Sequence, residues 1–326
     1  MLGAGSWGTA LSLILARNGH EVGLYGREPE EIASIRAQRE NMRYLPGFAI
    51  PEEVEVGLTD EAPESMELWV IAVPSAGFRE ALSHLRNPEA HLCIASKGLE
   101  PVSAKLLSAV VEEVLPRATV SAISGPNLAV ELARGIPTAA VVACADETEA
   151  EHVACAFNCR TLRVYITDDL IGLELAGALK NVLAIAAGMS DGLGFGDNTK
   201  GALLARGLKD MTLLGVALGA QPETFYGIAG VGDLFATANS HLSRNYRVGE
   251  ALGKGRTLTE ALKEIGQVAE GVTTSESAVQ LARKHGTNIP IFEAVDSVIQ
   301  GRLRPMEAVG RLMERQPKRE GFPVEH

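Results

Sequence analysis

The chain of 326 residues carries little positive charge, has four cysteines and lacks a long hydrophobic run free of polar side chains. Its formal net charge is −11 and no basic stripe is present, so we expect no nucleic acid partner. The longest apolar run, residues 170–189, contains Glu174, Lys180 and Asn181, which are costly in a bilayer, so we expect no membrane partner. The apolar fraction of 46% is typical of a globular protein.

The cysteines do not form a recognisable metal site. Cys155 and Cys159 follow His152, but no fourth ligand is paired nearby and the spacing matches no common zinc motif. Free thiols are typical of a reducing compartment, and the sequence shows no signal peptide. We therefore expect a cytoplasmic protein that holds no metal ion.

A glycine-rich motif, GAGSWG, occupies residues 3–8 and leads into an apolar-periodic stretch, residues 9–18. In such a motif Gly3 allows a tight turn, Gly5 lets the backbone approach a pyrophosphate, and Gly8 lets the following helix pack closely on a sheet. The helix N-terminus then offers free N–H groups to the phosphates. The pattern predicts a dinucleotide-binding βαβ unit.

The strand that should precede this motif is short in the sequence. Only Met1 and Leu2 stand before the first glycine, whereas a strand usually has about five or six residues. Either the first strand is vestigial or residues of it precede Met1. We favour the second interpretation and expect that the native chain begins upstream of Met1.

The residues after the second predicted strand bear on the choice of coenzyme. Arg27 suits the 2′-phosphate of NADP because a guanidinium forks onto phosphate oxygens, although a surface arginine at a strand end is the alternative. Glu28 is the kind of residue that bonds the ribose hydroxyls of NAD. We therefore predict NADP(H) as the coenzyme, with NAD(H) tolerated.

Short β-rich runs alternate with helical patterns in the first half of the chain, which predicts an α/β fold with a doubly wound, mostly parallel sheet. The predicted strands are 21–25, 68–73, 91–95, 119–123, 138–143 and 161–165. The predicted helices between them are 9–18, 28–39, 77–85, 104–115, 127–133 and 147–157.

Strand patterns end near residue 168, and the rest of the chain has helical patterns. These helices are predicted at 169–189, 199–218, 231–238, 244–252, 258–265, 274–285, 291–299 and 305–315. We therefore predict two domains, residues 1–168 and residues 169–326, of which the second is all-helical. The tail from Gln316 is polar and contains two prolines, so we expect it to be frayed.

Residues that follow strands are the candidates for ligand contact, because ligands of such sheets bind beyond the carboxyl ends of the strands. Lys97 follows the strand at 91–95, and it is either a cleft cation or a solvated loop residue. Gly125 and Pro126 follow the strand at 119–123, and Pro126 suits the first position of a helix whose N–H groups face the cleft.

The helix predicted at 169–189 is apolar on almost every side, yet Lys180 lies in its middle. One interpretation is that the alkyl chain of Lys180 is buried and carries the ammonium group to solvent. The other is an ammonium in a cleft, with a pKa lowered by burial, that exchanges a proton with a substrate oxygen. Asn181 beside it is placed to orient that head.

Two further groups stand at predicted helix starts. Asp233 is either a helix cap or an acceptor for substrate hydroxyls. Ser243, Arg244 and Asn245 open another helix, and an arginine with a hydroxyl and an amide at a helix N-terminus is a receptor for phosphate.

Taken together, nine motifs in order resemble the bacterial NAD(P)-dependent glycerol-3-phosphate dehydrogenases across nearly the whole chain. They are GAGSWGTA at 3–10, NGHEV at 18–22, SKGLE at 96–100, ISGPN at 123–127, GALKNV at 177–182, GMSDGLGFG at 188–196, GVGDL at 230–234, SRN at 243–245 and GQVAEG at 266–271.

The resemblance implies a Rossmann-type domain followed by a helical substrate domain, and the reduction of dihydroxyacetone phosphate to sn-glycerol 3-phosphate for phospholipid synthesis. It implies that Lys180 is the residue that exchanges the proton. The substrate-binding positions that it implies are Lys97, Gly125, Asn127, Lys180, Asp233, Ser243, Arg244 and Asn245. Beside Gly3, Gly5 and Gly8, the cofactor-binding positions are Ser6, Trp7, Arg27, Lys97, Ala129, Arg244, Val268 and Glu270. A homodimer is expected from the resemblance alone.

Two other functions stay open on the sequence. A reductase of the same architecture that acts on another 2-oxo or 3-hydroxy acid shares these fold features. A non-enzymatic NADP-binding sensor would need the glycine motif but not Lys180. The phosphate receptor at Arg244 favours a small phosphorylated ketone as substrate over the first alternative.

Overall fold

A computed structural model describes residues 1–87 and 89–316. The strands within these ranges are β1 Val22–Gly26, β2 Glu40–Asn41, β3 Leu45–Ala49, β4 Val54–Leu58, β5 Trp69–Ile71, β6 His91–Ile94, β7 Thr119–Ser124, β8 Thr138–Cys144 and β9 Leu162–Thr167. The helices among these strands are α1 Ser6–Arg17, α2 Pro29–Gln38, α3 Phe78–Ser83, α4 Leu107–Val114, α5 Ala129–Ala133 and α6 Glu147–Phe157. The tail predicted to be frayed lies, from residue 317 onward, outside the described residues.

After β9, residues 168–316 form helices and no further strand. They are α7 Leu170–Gly192, α8 Asp197–Ala217, α9 Pro222–Tyr226, α10 Asp233–Ala238, α11 Arg244–Gly253, α12 Leu258–Ile265, α13 Glu270–His285, α14 Pro290–Ile299 and α15 Pro305–Met313. The predicted α/β class, with a mostly parallel sheet followed by helices, is confirmed.

The main sheet is completed by residues at the start of the chain. Strands β5 to β9 pair in sequence order, and β1 pairs with β4. Leu2 bridges the two groups, since it lies parallel to both Tyr25 in β1 and Ile71 in β5. All of these pairings are parallel except that of β7 with β8. Residues 1–3 therefore take the place of the first strand, and the carboxyl ends of β1, β5, β6 and β7 lie at one edge.

Sequence reasoning missed three strands and one helix. Strand β4 pairs with β1 over five residues, and β2 pairs with β3 as a small antiparallel ribbon. The missed helix is α9, a single turn of five residues. These elements are short: β2 has two residues, β3 contains Pro46 and Gly47, and the alternation of Val54, Glu55 and Val56 in β4 covers too few residues to stand out. Their pairing therefore depends on distant partners.

Helix α7 forms the core of the helical part. It is long and apolar enough to cross a membrane, but 89% of its most apolar window is buried inside the protein. Its side chains belong to a hydrophobic cluster that includes residues of α8, α11, α13 and α14. The burial of polar residues along α7 therefore happens inside a protein core, where each must find a partner.

Helices α7 and α11 cross with their backbones almost in contact. A Cβ added at Gly249 would lie 1.9 Å from the carbonyl oxygen of Ile185, and one at Gly188 would lie 2.0 Å from that of Tyr246. One turn further along, Gly253 and Gly192 meet in the same way. This contact places the N-terminus of α11 beside the middle of α7, and so it positions the site described next.

Candidate active site

The glycine motif forms the turn into α1 that the sequence predicts. Gly3 has a φ of +110°, and a Cβ there would lie 2.5 Å from the Ala72 carbonyl oxygen. A Cβ at Gly8 would lie 1.9 Å from the carbonyl oxygen of Gly3. A Cβ added at Gly5 would meet no described atom within 4 Å, so the space beside this residue is open. No described side chain caps the N-terminus of α1. This open backbone at a helix N-terminus fits a pyrophosphate.

Two side chains near this turn differ in their surroundings. The Trp7 indole N–H donates to the Ala95 carbonyl oxygen at 3.0 Å, and Lys97 Nζ lies 5.6 Å from the Trp7 ring centroid. Arg27, directly after β1, has a side chain that is 73% exposed and donates to Glu28 Oε1 at 3.0 Å. Arg27 also lies 3.8 Å from Glu80, but an exposed guanidinium can exchange such surface partners for a ribose phosphate, so the residues present fit a dinucleotide.

Two lysines converge on one buried carboxylate at the ligand edge of the sheet. Lys180 Nζ lies 3.0 Å from Asp233 Oδ1 and donates to Thr237 Oγ1 at 2.7 Å. Lys97 Nζ lies 2.9 Å from Asp233 Oδ2 and donates to the Gly125 carbonyl oxygen at 2.9 Å. Because Lys97 follows β6 and Lys180 lies in α7, Asp233 joins the sheet to the helices.

Burial controls the charges of this cluster. It lowers the pKa of Lys180 to about 8, while the Asp233 carboxylate opposes that shift. Burial alone would raise the pKa of Asp233, but the ammonium groups of Lys180 and Lys97 outweigh it and hold that pKa below its usual value. The solvent-directed stem proposed as an alternative for Lys180 is wrong, because its head is buried and paired. The cap interpretation of Asp233 is also wrong, since its oxygens accept from the lysines.

A chain of amides fixes the loop that carries Lys97. Gly271 N–H donates to Asn245 Oδ1 at 2.9 Å, and Asn245 Nδ2 donates to Asn181 Oδ1 at 2.9 Å. Asn181 Nδ2 in turn donates to the Lys97 carbonyl oxygen at 3.3 Å. The side chain of Asn245 is thus largely engaged within the protein. Ser243 lies at the helix start, as predicted, and its hydroxyl caps α11 by accepting from the backbone N–H of Tyr246.

The segment after β7 approaches the same edge. Gly125 has a φ of +147°, and a Cβ there would lie 2.8 Å from the Ala139 carbonyl oxygen, which also accepts from Asn127 Nδ2 at 3.0 Å. Asn127 Oδ1 is buried without a partner among the described residues, so it is available to a ligand. The prediction that Pro126 opens a helix is wrong, because α5 begins at Ala129. Hydrogen bonds to β8 hold this segment outside the helix, because Thr138 Oγ1 donates to the Pro126 carbonyl oxygen at 2.7 Å and Asn127 Nδ2 donates to that of Ala139.

Arg244 and Glu270 form the remaining charged part of the site. Burial lowers the pKa of Arg244 while the Glu270 carboxylate opposes the shift, and the guanidinium has no hydrogen-bond acceptor among the described residues. Burial raises the pKa of Glu270, although hydrogen bonds from Ser75 act against it. Val268, two residues before, is 50% exposed. Arg27, Ala129 and Val268 make no hydrogen bond to the Asp233 cluster within the described ranges.

Two family models cover most of the chain. One is described as the N-terminus of NAD-dependent glycerol-3-phosphate dehydrogenase and matches residues 1–150, and the other is described as its C-terminus and matches residues 169–310. The chain belongs to the NAD-dependent glycerol-3-phosphate dehydrogenase family. The resemblance identified from the nine motifs is therefore confirmed.

Individual glycerol-3-phosphate dehydrogenases match over their full length. The enzyme named glycerol-3-phosphate dehydrogenase [NAD(P)+] of Aromatoleum aromaticum is 45% identical over 98% of this chain and 99% of its own, and that of a Thermoanaerobacter strain is 46% identical over 98% of each. A crystal structure of glycerol-3-phosphate dehydrogenase from Coxiella burnetii has a TM-score of 0.93 at 39% identity, and it covers 96% of this chain and 98% of that one.

In this member of the glycerol-3-phosphate dehydrogenase family, sequence reasoning missed two polar partners. Thr237 accepts from Lys180 and donates to Asp233 Oδ1 at 3.1 Å. Its position one helical turn after Asp233 was a usable signal, because residues four apart share a helix face. Ser75 follows Pro74, four residues after the end of β5, but nothing in the sequence links it to Glu270, which is 195 residues away.

Proposed function

We propose that this protein reduces dihydroxyacetone phosphate to sn-glycerol 3-phosphate with NADPH, accepts NADH as well, and supplies glycerophospholipid synthesis. The observation that carries the proposal is the buried pair of Lys180 and Asp233 beside the Arg244 guanidinium, which has no acceptor among the residues that the structure describes. One group suits proton exchange with a ketone oxygen, and the other suits a phosphate. A phosphorylated ketone requires both.

Lys180 is the proposed proton donor in reduction. With a pKa of about 8 it is mainly an ammonium at neutral pH, yet it releases its proton more easily than an exposed lysine does. As negative charge grows on the substrate oxygen, the buried ammonium stabilises that charge and then transfers its proton. Asp233 and Thr237 hold the ammonium in place, and Asn181 fixes the neighbouring Lys97 loop.

Arg244 is the proposed phosphate receptor. It is the first residue of α11, so its guanidinium and the N–H groups of the helix N-terminus present positive charge together. Ser243 and Asn245 flank it and define that N-terminus. Lys97 adds a second cation, which lies between the helices and the segment of Gly125 and Asn127.

The residues proposed to hold the coenzyme lie along the sheet edge and at or near the starts of α1, α5, α11 and α13. They are Gly3, Gly5, Ser6, Trp7, Gly8, Arg27, Lys97, Ala129, Arg244, Val268 and Glu270. When bound, the nicotinamide ring supplies the hydride that reduces the ketone carbon. Glycines in the first turn leave the backbone open to phosphates, and Arg27 favours the additional phosphate of NADP.

We also propose that residues 1–168 form the coenzyme domain and residues 169–326 the substrate domain, with the active site between them. Asp233 and Asn181, which bond across this boundary, support a site shared by both parts. We expect a cytoplasmic homodimer whose partner is a small phosphorylated substrate, with neither nucleic acid nor membrane as a partner. Sedimentation analysis in solution tests the dimer.

The test of function is coenzyme oxidation by the purified protein, followed by the loss of reduced-nicotinamide absorbance. Four reactions are compared, in which NADPH or NADH is combined with dihydroxyacetone phosphate or with unphosphorylated dihydroxyacetone. We expect kcat/KM to fall at least about tenfold when the phosphate is absent, because Arg244 then loses its charged partner. Equal rates on both ketones contradict the phosphate assignment. Absence of turnover while NADPH still binds contradicts the enzyme assignment and favours the sensor.

A further inference from the structure

Arg244 and Glu270 have opposite charges and open two helices that meet at their first turns, where the Gly271 N–H donates to Asn245 Oδ1 at 2.9 Å. In keeping with this placement, the Glu270 carboxylate opposes the lowering of the Arg244 pKa. Within the described ranges they nevertheless form no ion pair, and the Arg244 guanidinium has no hydrogen-bond acceptor. A half-buried arginine close to a carboxylate ordinarily forms a forked pair with it. Another interaction must therefore hold the carboxylate in place.

Ser75 provides that interaction. Its backbone N–H donates to Glu270 Oε1 at 3.0 Å, and its hydroxyl donates to Glu270 Oε2 at 2.5 Å. Ser75 is itself buried, at the start of the short 3₁₀ turn Ser75–Gly77 that follows β5. One donor on each oxygen fixes the plane of the carboxylate as well as its position. The bond also connects the sheet to the first residue of α13.

The surroundings of Glu270 leave its side chain little other freedom. A Cβ added at Gly98 would lie 2.8 Å from Glu270 Oε2 and from Ser75 Oγ, so the Gly98 backbone forms the wall behind both groups. The α13 backbone is fixed as well, because the Gly271 N–H donates to Asn245. Because the backbone is held, we infer that the Glu270 carboxylate changes partner by rotation of its own side chain.

We propose that Ser75 is a positioning residue that holds Glu270 away from Arg244 and so keeps Arg244 free to bind the substrate phosphate. The inference rests on the proposed function, which assigns the phosphate to Arg244. Without the Ser75 hydroxyl, the carboxylate keeps only its bond from the backbone N–H and can turn to Arg244. The resulting pair then competes with the incoming phosphate.

The first experiment replaces Ser75 and measures anion binding directly. Wild type, Ser75→Ala and Ser75→Thr are titrated with inorganic phosphate and with sn-glycerol 3-phosphate by calorimetry, in the absence of coenzyme. We expect Ser75→Ala to weaken both affinities about tenfold and to raise KM for the ketone similarly, with kcat close to wild type. Ser75→Thr, which retains the hydroxyl, should restore binding. Ser83→Ala is the matched control, because its hydroxyl bonds only the backbone of its own helix.

The second experiment removes the competitor. Glu270→Gln and the double variant Ser75→Ala/Glu270→Gln are titrated in the same way, since a neutral amide cannot pair with Arg244 as an anion does. We expect the double variant to bind phosphate as tightly as Glu270→Gln alone. Unchanged affinity in Ser75→Ala, or a double variant as weak as Ser75→Ala, overturns the inference. If Arg244→Ala binds phosphate as wild type does, the proposed function fails instead, because Arg244 is then not the receptor.

Discussion

The two sides of the site present different chemical groups to a ligand. The sheet side offers mainly backbone, namely the open turn at Gly5, the Gly125 carbonyl oxygen and the wall at Gly98. The helical side offers buried side chains, with Lys180 and Asp233 paired in the core of the protein. Backbone groups suit the recognition of phosphates, whereas a buried charged pair suits proton transfer. The comparison implies that changes to the buried pair of the helical side mainly affect turnover, and changes on the sheet side mainly affect coenzyme affinity.

The largest expected effect follows from replacing the buried ammonium. Lys180→Met retains the length of the side chain but removes its proton, so we expect kcat to fall by roughly 10²- to 10⁴-fold. Coenzyme affinity, measured by fluorescence titration, should remain close to wild type because Gly5 and Arg27 are untouched. Lys284→Met, at an exposed position of α13, is the control and should leave kcat unchanged. Turnover that survives in Lys180→Met removes this residue from the mechanism.

Replacing Arg244 tests whether the helical side also binds the substrate phosphate. Arg244→Ala should raise KM for dihydroxyacetone phosphate by about ten- to a hundredfold, because hydrogen bonds to a charged partner are lost. The weak reaction with unphosphorylated dihydroxyacetone should change little. Arg247→Ala, one turn further along α11, is the matched control. If KM is unaffected by Arg244→Ala, the phosphate lies elsewhere in the cleft.

These two residues also show how far the sequence predicts the site. Lys180 was identifiable because a lysine in the middle of an apolar helix needs a partner, and Arg244 because it opens a helix behind Ser243. That partner was not identifiable as Asp233, which lies 53 residues away and was interpreted as a cap or a hydroxyl acceptor. Residue type and local periodicity indicate which side chains need partners. Only the folded chain supplies the partners.

The same limit applies to the fold. The glycine motif, the alternation of strands with helices, and the change to helices near residue 168 are local patterns, and the sequence predicts them. Strand β4 was missed because its stability depends on pairing with β1, and residues 1–3 act as a strand only between β1 and β5. Hydrophobic pattern alone does not encode pairing between segments so far apart.

A substitution at the close contact of α7 with α11 tests whether the helical side also depends on close backbone packing for its stability. Gly249→Ala would place a Cβ 1.9 Å from the Ile185 carbonyl oxygen, so the two helices must separate. We expect the free energy of unfolding to fall by about 1–3 kcal/mol in denaturant titration. Gly310→Ala in α15 is the control, because its Cβ would meet no described atom within 4 Å. That variant should be neutral or up to about 1 kcal/mol more stable. Equal stability of the two variants contradicts tight packing at this crossing.

The smallest expected effect lies on the sheet side, at Arg27. The Arg27 side chain is exposed and already forms an ion pair with Glu28. Its interaction with a ribose phosphate is therefore partly screened by solvent. We expect Arg27→Ala to lower the ratio of kcat/KM for NADPH to that for NADH by roughly three- to tenfold, with kcat for either coenzyme nearly constant. Arg86→Ala is a matched control, because Arg86 is 74% exposed and also pairs with a glutamate. A ratio that stays at its wild-type value leaves Glu28 as the residue that selects the coenzyme. A fall in kcat instead of coenzyme affinity would contradict the assignment of coenzyme binding to the sheet side.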